Sequence, residues 1–224
     1  MTETARTTPT IKYYSAREMP WRNEDRWEVE GLTINGRIGK YALFKEMTDP
    51  MDLQGIAEYS RSAIENGQPR VATSQEVWAF ADRAYDERNF ELAGFLRKCM
   101  QRWSNTSSVV RYKPTGEIDE TVHNYNTPIE TSIRRDIVGK SGLITKVVIG
   151  QVLEPLLGTQ DVNKLNDVSY WINNTPFGIW RYDQKPKQNS EGVVGFSAGD
   201  GGLGLDCDGD LLYRIPAFRV IRVE

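Results

Sequence analysis

Asp206, Asp208 and Asp210 stand at alternate positions near the end of the chain. Carboxylates so spaced are the hard oxygen ligands that open a calcium loop. The EF-hand pattern then fails, because its sixth position is Leu211 rather than glycine and its twelfth is Ala217 rather than glutamate. Just upstream, Gly199-Asp200-Gly201-Gly202-Leu203-Gly204 has the glycine spacing of a dinucleotide loop. The residues after Gly204 cannot start the helix that would hold a pyrophosphate, and too little chain remains for a βαβ unit. The single histidine, His123, lies in the loop-like run His-Asn-Tyr-Asn-Thr-Pro and is expected at a turn or on the surface, not in a Ser-His-Asp triad. Cys99 and Cys207 are the only cysteines. With one histidine they cannot build a Cys/His zinc cluster, and a disulfide between them is not expected. The sequence therefore assigns no catalytic residue, no metal and no cofactor.

The same tail carries a second signal. Residues 197–218 contain no Lys, Glu, Gln, Met or Trp, although these types are common elsewhere in the chain. None of the five has a codon ending in a pyrimidine. A segment written in such codons can vary at its first two bases without producing a stop. The tail thus reads as a patch of replaceable residues held on a scaffold that is not replaceable.

That scaffold has to come from the surrounding elements. Residues 11–15 and 27–34 read as short strands, with Asn35-Gly36 as the hairpin turn into a third over 37–44. Asp49-Pro50 is expected to open a helix, with Asp49 as its cap, Leu53, Ile56, Ala57 and Ile64 on its apolar face, and Asn66-Gly67 at its end. Thr73-Ser74-Gln75-Glu76 is a capping-box start. Val77, Trp78, Phe80, Ala81, Ala84 and Tyr85 come next at helical spacing. Residues 88–103 continue the pattern through Phe95, Met100 and Trp103, an aromatic stripe expected to face the core. Residues 109–112 read as a strand, 113–116 as a turn, 121–145 as a poorly periodic stretch, and 147–157 as apolar helix or strand. Residues 161–172 read as a helix, and 177–182, 193–197 and 217–223 as strands. The expected fold class is α+β, with two main helices and a C-terminal set of short antiparallel strands.

Composition narrows the field. At 39% hydrophobic residues the chain can bury a core, so disorder is expected only over residues 1–10. A net charge of -3 gives no basic footprint for nucleic acid, and Arg134-Arg135 reads as solvated surface. No apolar run reaches bilayer length, so membrane insertion is not expected. The start of the chain lacks a signal pattern, which suggests the cytoplasm, or a virion or surface reached by a signal-independent route. Without such a signal, the sequons at Asn105 and Asn173 carry little meaning. The sequence shows no interface from which to read an oligomeric state.

The closing strand, Pro216-Ala217-Phe218-Arg219-Val220-Ile221-Arg222-Val223, resembles the G-F-R-V-x-R ending of formylglycine-generating-enzyme-like domains, with Ala217 where that family usually has glycine. Those domains have a C-type lectin fold. A similar fold carries the variable proteins of diversity-generating retroelements, in which a stretch near the C-terminus is rewritten at template adenines. Asn codons altered in that way never give Lys, Glu, Gln, Met, Trp or a stop, which is the set missing here. The chain is most similar to the archaeal or archaeal-virus members.

The resemblance implies a C-type lectin-like domain over residues 69–224, an N-terminal strand and helix elaboration over 1–68, and a variable region over about 196–218. It implies fixed packing roles for Trp171, Trp180, Phe196 and Phe218. It also implies exposed, ligand-contacting variable positions at Ser197, Gly199, Asp200, Leu203, Leu205, Asp206, Asp208, Asp210, Leu212, Tyr213 and Arg214, with the tail glycines as placeholders. The expected function is non-enzymatic recognition of a protein or glycan target. The alternatives are a sulfatase-modifying-like enzyme on the same fold, or an undiversified attachment protein of a virus or cell surface.

Overall fold

The computed structural model describes residues 11–14, 24–114, 118–124, 129–131, 153–180, 182–183, 185–199 and 202–223. Several expectations lie outside the described residues: the N-terminal ten, Arg134-Arg135, the second half of the 113–116 turn, most of 121–145, residues 147–152, and Asp200 with Gly201. The fold is mixed α+β. In chain order the elements are β1 (Ile11–Tyr14), β2 (Arg26–Ile34), β3 (Arg37–Phe44), α1 (Leu53–Glu65), β4 (Arg70–Val71), α2 (Ser74–Asp86), α3 (Phe90–Met100) and β5 (Ser104–Tyr112). They continue with β6 (Asp119–His123), β7 (Ile129–Thr131), α4 (Glu154–Leu157), α5 (Val162–Asn173), β8 (Phe177–Trp180), β9 (Ser190–Gly199), β10 (Gly202–Gly209) and β11 (Arg219–Arg222).

The two ends of the chain share a sheet. Its order is β1-β2-β3-β11-β4, so the last strand lies between β3 and β4. Asn35 and Gly36 both take positive φ in the β2–β3 turn, as a tight hairpin requires. The second sheet runs β7-β6-β5-β9-β10-β8, antiparallel except where β10 meets β8. One continuous core joins both sheets and helices α2 to α5: Trp27 and Leu43 from the N-terminal strands, Phe80 and Leu96 from α2 and α3, and Phe196, Leu205 and Phe218 from the C-terminal half, while Ile56 of α1 packs with Val71 and Ala217 in a small cluster beside it. The strands of residues 1–68 therefore complete the sheet of the last strand and share its core.

Local chemistry sets the helix ends. Thr73 and Glu76 form the expected reciprocal capping box, with Glu76 Oε2 accepting from the Thr73 N–H at 2.8 Å and Thr73 Oγ1 accepting from the Glu76 N–H at 3.2 Å. Asp161 caps α5 by accepting from the Lys164 N–H at 3.0 Å. The helical pattern over 88–103 is interrupted at its start: Arg88 has φ 54°, and Asn89 caps α3. Helix α1 starts later than expected. Asp52, not Asp49, accepts from the Gly55 N–H at 2.8 Å, because Met51 is held extended by paired backbone hydrogen bonds with Ile215.

The largest departure is β10. The Gly- and Asp-rich ground before the last strand contains a strand of the second sheet, with Leu203, Leu205 and Cys207 buried. Gly204 is fixed by its neighbours: a Cβ there would collide with the Gly178 carbonyl of β8 and meet the Trp180 ring at 3.0 Å. It is a packing requirement rather than a placeholder. No helix among the described residues is long and apolar enough to cross a membrane.

Candidate functional site

After β10 the chain turns sharply and crosses the front of the molecule. Asp210 makes the turn: its Oδ1 accepts from the Leu212 N–H at 2.9 Å and its carbonyl from the Tyr213 N–H at 3.1 Å. The backbone beyond the turn is held on several sides. The Ile215 and Met51 amides donate to each other's carbonyls, the Asn105 N–H donates to the Pro216 carbonyl at 3.1 Å, and the Ala217 N–H donates to Thr48 Oγ1 at 3.0 Å. The Ala72 N–H then donates to the Phe218 carbonyl at 2.8 Å. These bonds use main-chain atoms of the tail, so they leave its side chains free to differ.

Between this strap and β5 lies a cleft of about 580 Å³. From the tail it is lined by Asp206, Asp208, Asp210, Tyr213 and Arg214. Its opposite wall is Arg102 and Trp103 at the end of α3, with Ser104 and Asn105 opening β5. Trp103 has φ 60° and is two-fifths exposed, so the chain reverses there and sets the indole on the wall. Two register shifts shape the floor. An extra residue in β10 between Asp206 and Gly209 turns Asp208 outward while Asp206 stays buried. In β5 the pairing with β9 slips between Asn105 and Val109, which lets Asn105 reach Ala217 in the strap.

The structure divides the eleven tail positions. Asp208, Asp210, Leu212, Tyr213 and Arg214 are exposed, with Leu212 and Tyr213 at 78% and 63%. Ser197 is half-buried on β9. Leu203, Leu205 and Asp206 do not have the exposure expected of them. Leu203 and Leu205 point into the core from β10, and Asp206 is buried at the cleft floor. Gly199 ends β9, and Asp200 lies outside the described residues. Of the four aromatic packing residues, Phe196 and Phe218 are fully buried, while Trp171 and Trp180 are partly exposed. Arg102, Trp103, Ser104 and Asn105 join the site without any signal in the sequence, since nothing in the tail points to a segment so far upstream.

The remaining chemistry-bearing side chains lie inside. Both cysteines are buried free thiols: burial pushes Cys99 up to about 11, and burial with the Asp206 and Asp208 carboxylates pushes Cys207 well above the ordinary thiol range. His123 is not on the surface. It ends β6 inside the molecule, with Nδ1 2.7 Å from Ser108 Oγ and Nε2 2.7 Å from the Pro155 carbonyl. The Pro155 carbonyl can only accept, so Nε2 carries the proton and Nδ1 accepts from Ser108. Ser108 in turn accepts from the Ser74 N–H at 2.9 Å. This chain of bonds pins the α4 turn to the second sheet and is closed to substrate. The sequons are also shut in, Asn105 in the cleft wall and Asn173 in α5. Among the described residues no group of His, Cys, Asp or Glu side chains is arranged to hold a metal ion.

The cleft therefore offers two guanidinium groups, several carboxylates, a phenol and an indole on a fixed backbone, which suits reversible recognition of a polar ligand with an aromatic or apolar contact. Compared with known proteins, the chain matches no family model, and no curated protein or solved structure is significantly similar to it.

Proposed function

We propose that the chain is a ligand-binding protein whose C-terminal strap presents a replaceable recognition surface, diversified by a retroelement, on a C-type lectin-like scaffold. The observation that carries this reading is the coincidence of two independent features. Five exposed side chains, Asp208, Asp210, Leu212, Tyr213 and Arg214, fall within the segment that lacks Lys, Glu, Gln, Met and Trp, and four of them line the cleft. The strap that bears four of them, all but Asp208 of β10, is held beyond its turn by its main chain. Tyr and Arg beside an exposed Trp are the residue types that most often dominate binding energy. The buried members Leu203, Leu205 and Asp206 narrow the replaceable set to the bulged end of β10 and the strap. The sheet shared by the first and last strands and the buried Phe218 are compatible with the scaffold that the closing motif suggests.

The target class is a protein or a glycan. A cysteine-dependent oxidation on the same scaffold finds no support, since both thiols are buried and held protonated. Two experiments test the proposal. In the DNA beside the gene, a near-copy of the tail-coding segment next to a reverse transcriptase, differing only at adenines, is expected; a locus without any template removes the diversification claim. In binding, screening on a glycan array and a displayed peptide library should give binders that Tyr213→Ala weakens by about 2 kcal/mol, roughly thirty-fold, with the melting temperature unchanged. Binders indifferent to both Tyr213→Ala and Arg214→Ala would place recognition elsewhere.

A further inference from the structure

Helix α3 carries a glycine that folding does not ask for. Gly94 lies inside the helix with ordinary helical backbone, it is exposed, and a Cβ built on it would meet nothing within 4 Å. Glycine there weakens the helix relative to alanine, and no turn or close packing among the described residues compensates. Gly94 instead faces a groove of about 520 Å³ between α3 and the segment after β3. The groove has an apolar floor from the partly exposed Met47 and Phe95, laid over the buried Trp27, and it shares Arg102, Trp103 and Pro216 with the cleft under the strap. The two depressions therefore border each other at Arg102, Trp103 and Pro216.

Charge says what would lie in the groove. Lys45, Lys98 and Arg102 stand exposed along it against the single carboxylate of Glu91. The strap end has the opposite balance, with three aspartates against Arg102 and Arg214. A glycan lacking acidic groups would gain nothing from the three cations, and the Met-Phe floor favours an apolar side chain over a sugar hydroxyl. A bare stretch of helix backbone lets an extended main chain approach closely.

We infer that the groove beside Gly94 is a second half of the recognition site and that it takes an extended acidic and apolar segment of a protein ligand. This rests on the reading of the strap as the first half, and it selects protein over glycan as the target. Unlike the strap, the groove is built, Pro216 apart, from residues outside the tail, so it would supply an affinity common to all tail variants.

The test uses the full chain and a displayed library of random peptides. Recovered peptides are expected to be rich in Asp and Glu around a large apolar residue. Gly94→Phe, which fills the groove from the open side of the helix, and Lys98→Glu should each weaken them at least about tenfold. Gly94→Ala should raise the melting temperature by about 2–4 °C, because the helix gains and nothing is crowded. A fall in its melting temperature would show that the glycine serves folding, and the inference would fail. It fails equally if no acidic peptides are recovered, or if Gly94→Phe and Lys98→Glu leave binding intact. Tyr213→Ala separates the two halves: binding lost there but kept in the groove variants sustains the strap alone, and the reverse sustains the groove alone.

Discussion

The ring of His123 is fixed at both nitrogens, between Ser108 and the Pro155 carbonyl. Burial, with Arg70 adding to it, holds its imidazolium form below the ordinary histidine range, against the opposing pull of the Pro155 carbonyl and Glu76. A base whose folded pKa is depressed takes its proton first in the unfolded chain. Stability is then fully present above about pH 6.5 and is lost as the pH falls through that value, by up to about 1.4 kcal/mol per pH unit until the folded pKa is reached. Since the chain has one histidine, no second imidazole titrates in this window. Urea unfolding at about pH 7.5 and pH 5.5 should show this loss, and His123→Gln should flatten it. An equal slope in the variant would mean another group is titrating. The sequence around His123 reads as loop because Asn and Pro come after it. The partners that bury it, Ser108 and Pro155, come from β5 and α4, so no local pattern could reveal them.

At the level of elements, the helices with strong caps are legible in the sequence. Thr73-x-x-Glu76 and Asp161 mark helix starts because the capping bond is local. The start of α1 lies a few residues beyond the one its local pattern suggests, because a distant segment, through Ile215, holds Met51 extended. Strand β10 is not legible at all. Its glycines suggest a loop, yet Gly204 is required by the close approach of β8. Gly204→Ala should therefore lose about 1–3 kcal/mol or more, since the obstructing atom is a backbone carbonyl that cannot rotate away. Asp208→Ala, on the outward side of the bulge in the same strand, should change stability by less than about 0.5 kcal/mol. Chemical denaturation that ranked the two the other way would return β10 to the replaceable surface.

Across the whole molecule, the chain closes on itself. Strand β11 inserts between β3 and β4, and Phe218 enters the common core just before it. Phe218→Ala should cost about 3–5 kcal/mol and Leu212→Ala less than about 0.5 kcal/mol, although both residues lie in the same short segment. Thermal melts that failed to separate them would mean the strap is not a surface laid over a fixed core. By itself the sequence determined the α+β class, the capped helices, the β2–β3 turn and the compositional boundary of the tail. Those features are written by local propensity and composition. Only the tertiary structure decided which tail residues face outward, that a glycine run is a packed strand, and that Trp103 and Asn105 meet the tail across a cleft. Burial and approach depend on neighbours far along the chain, and a local pattern carries no record of them.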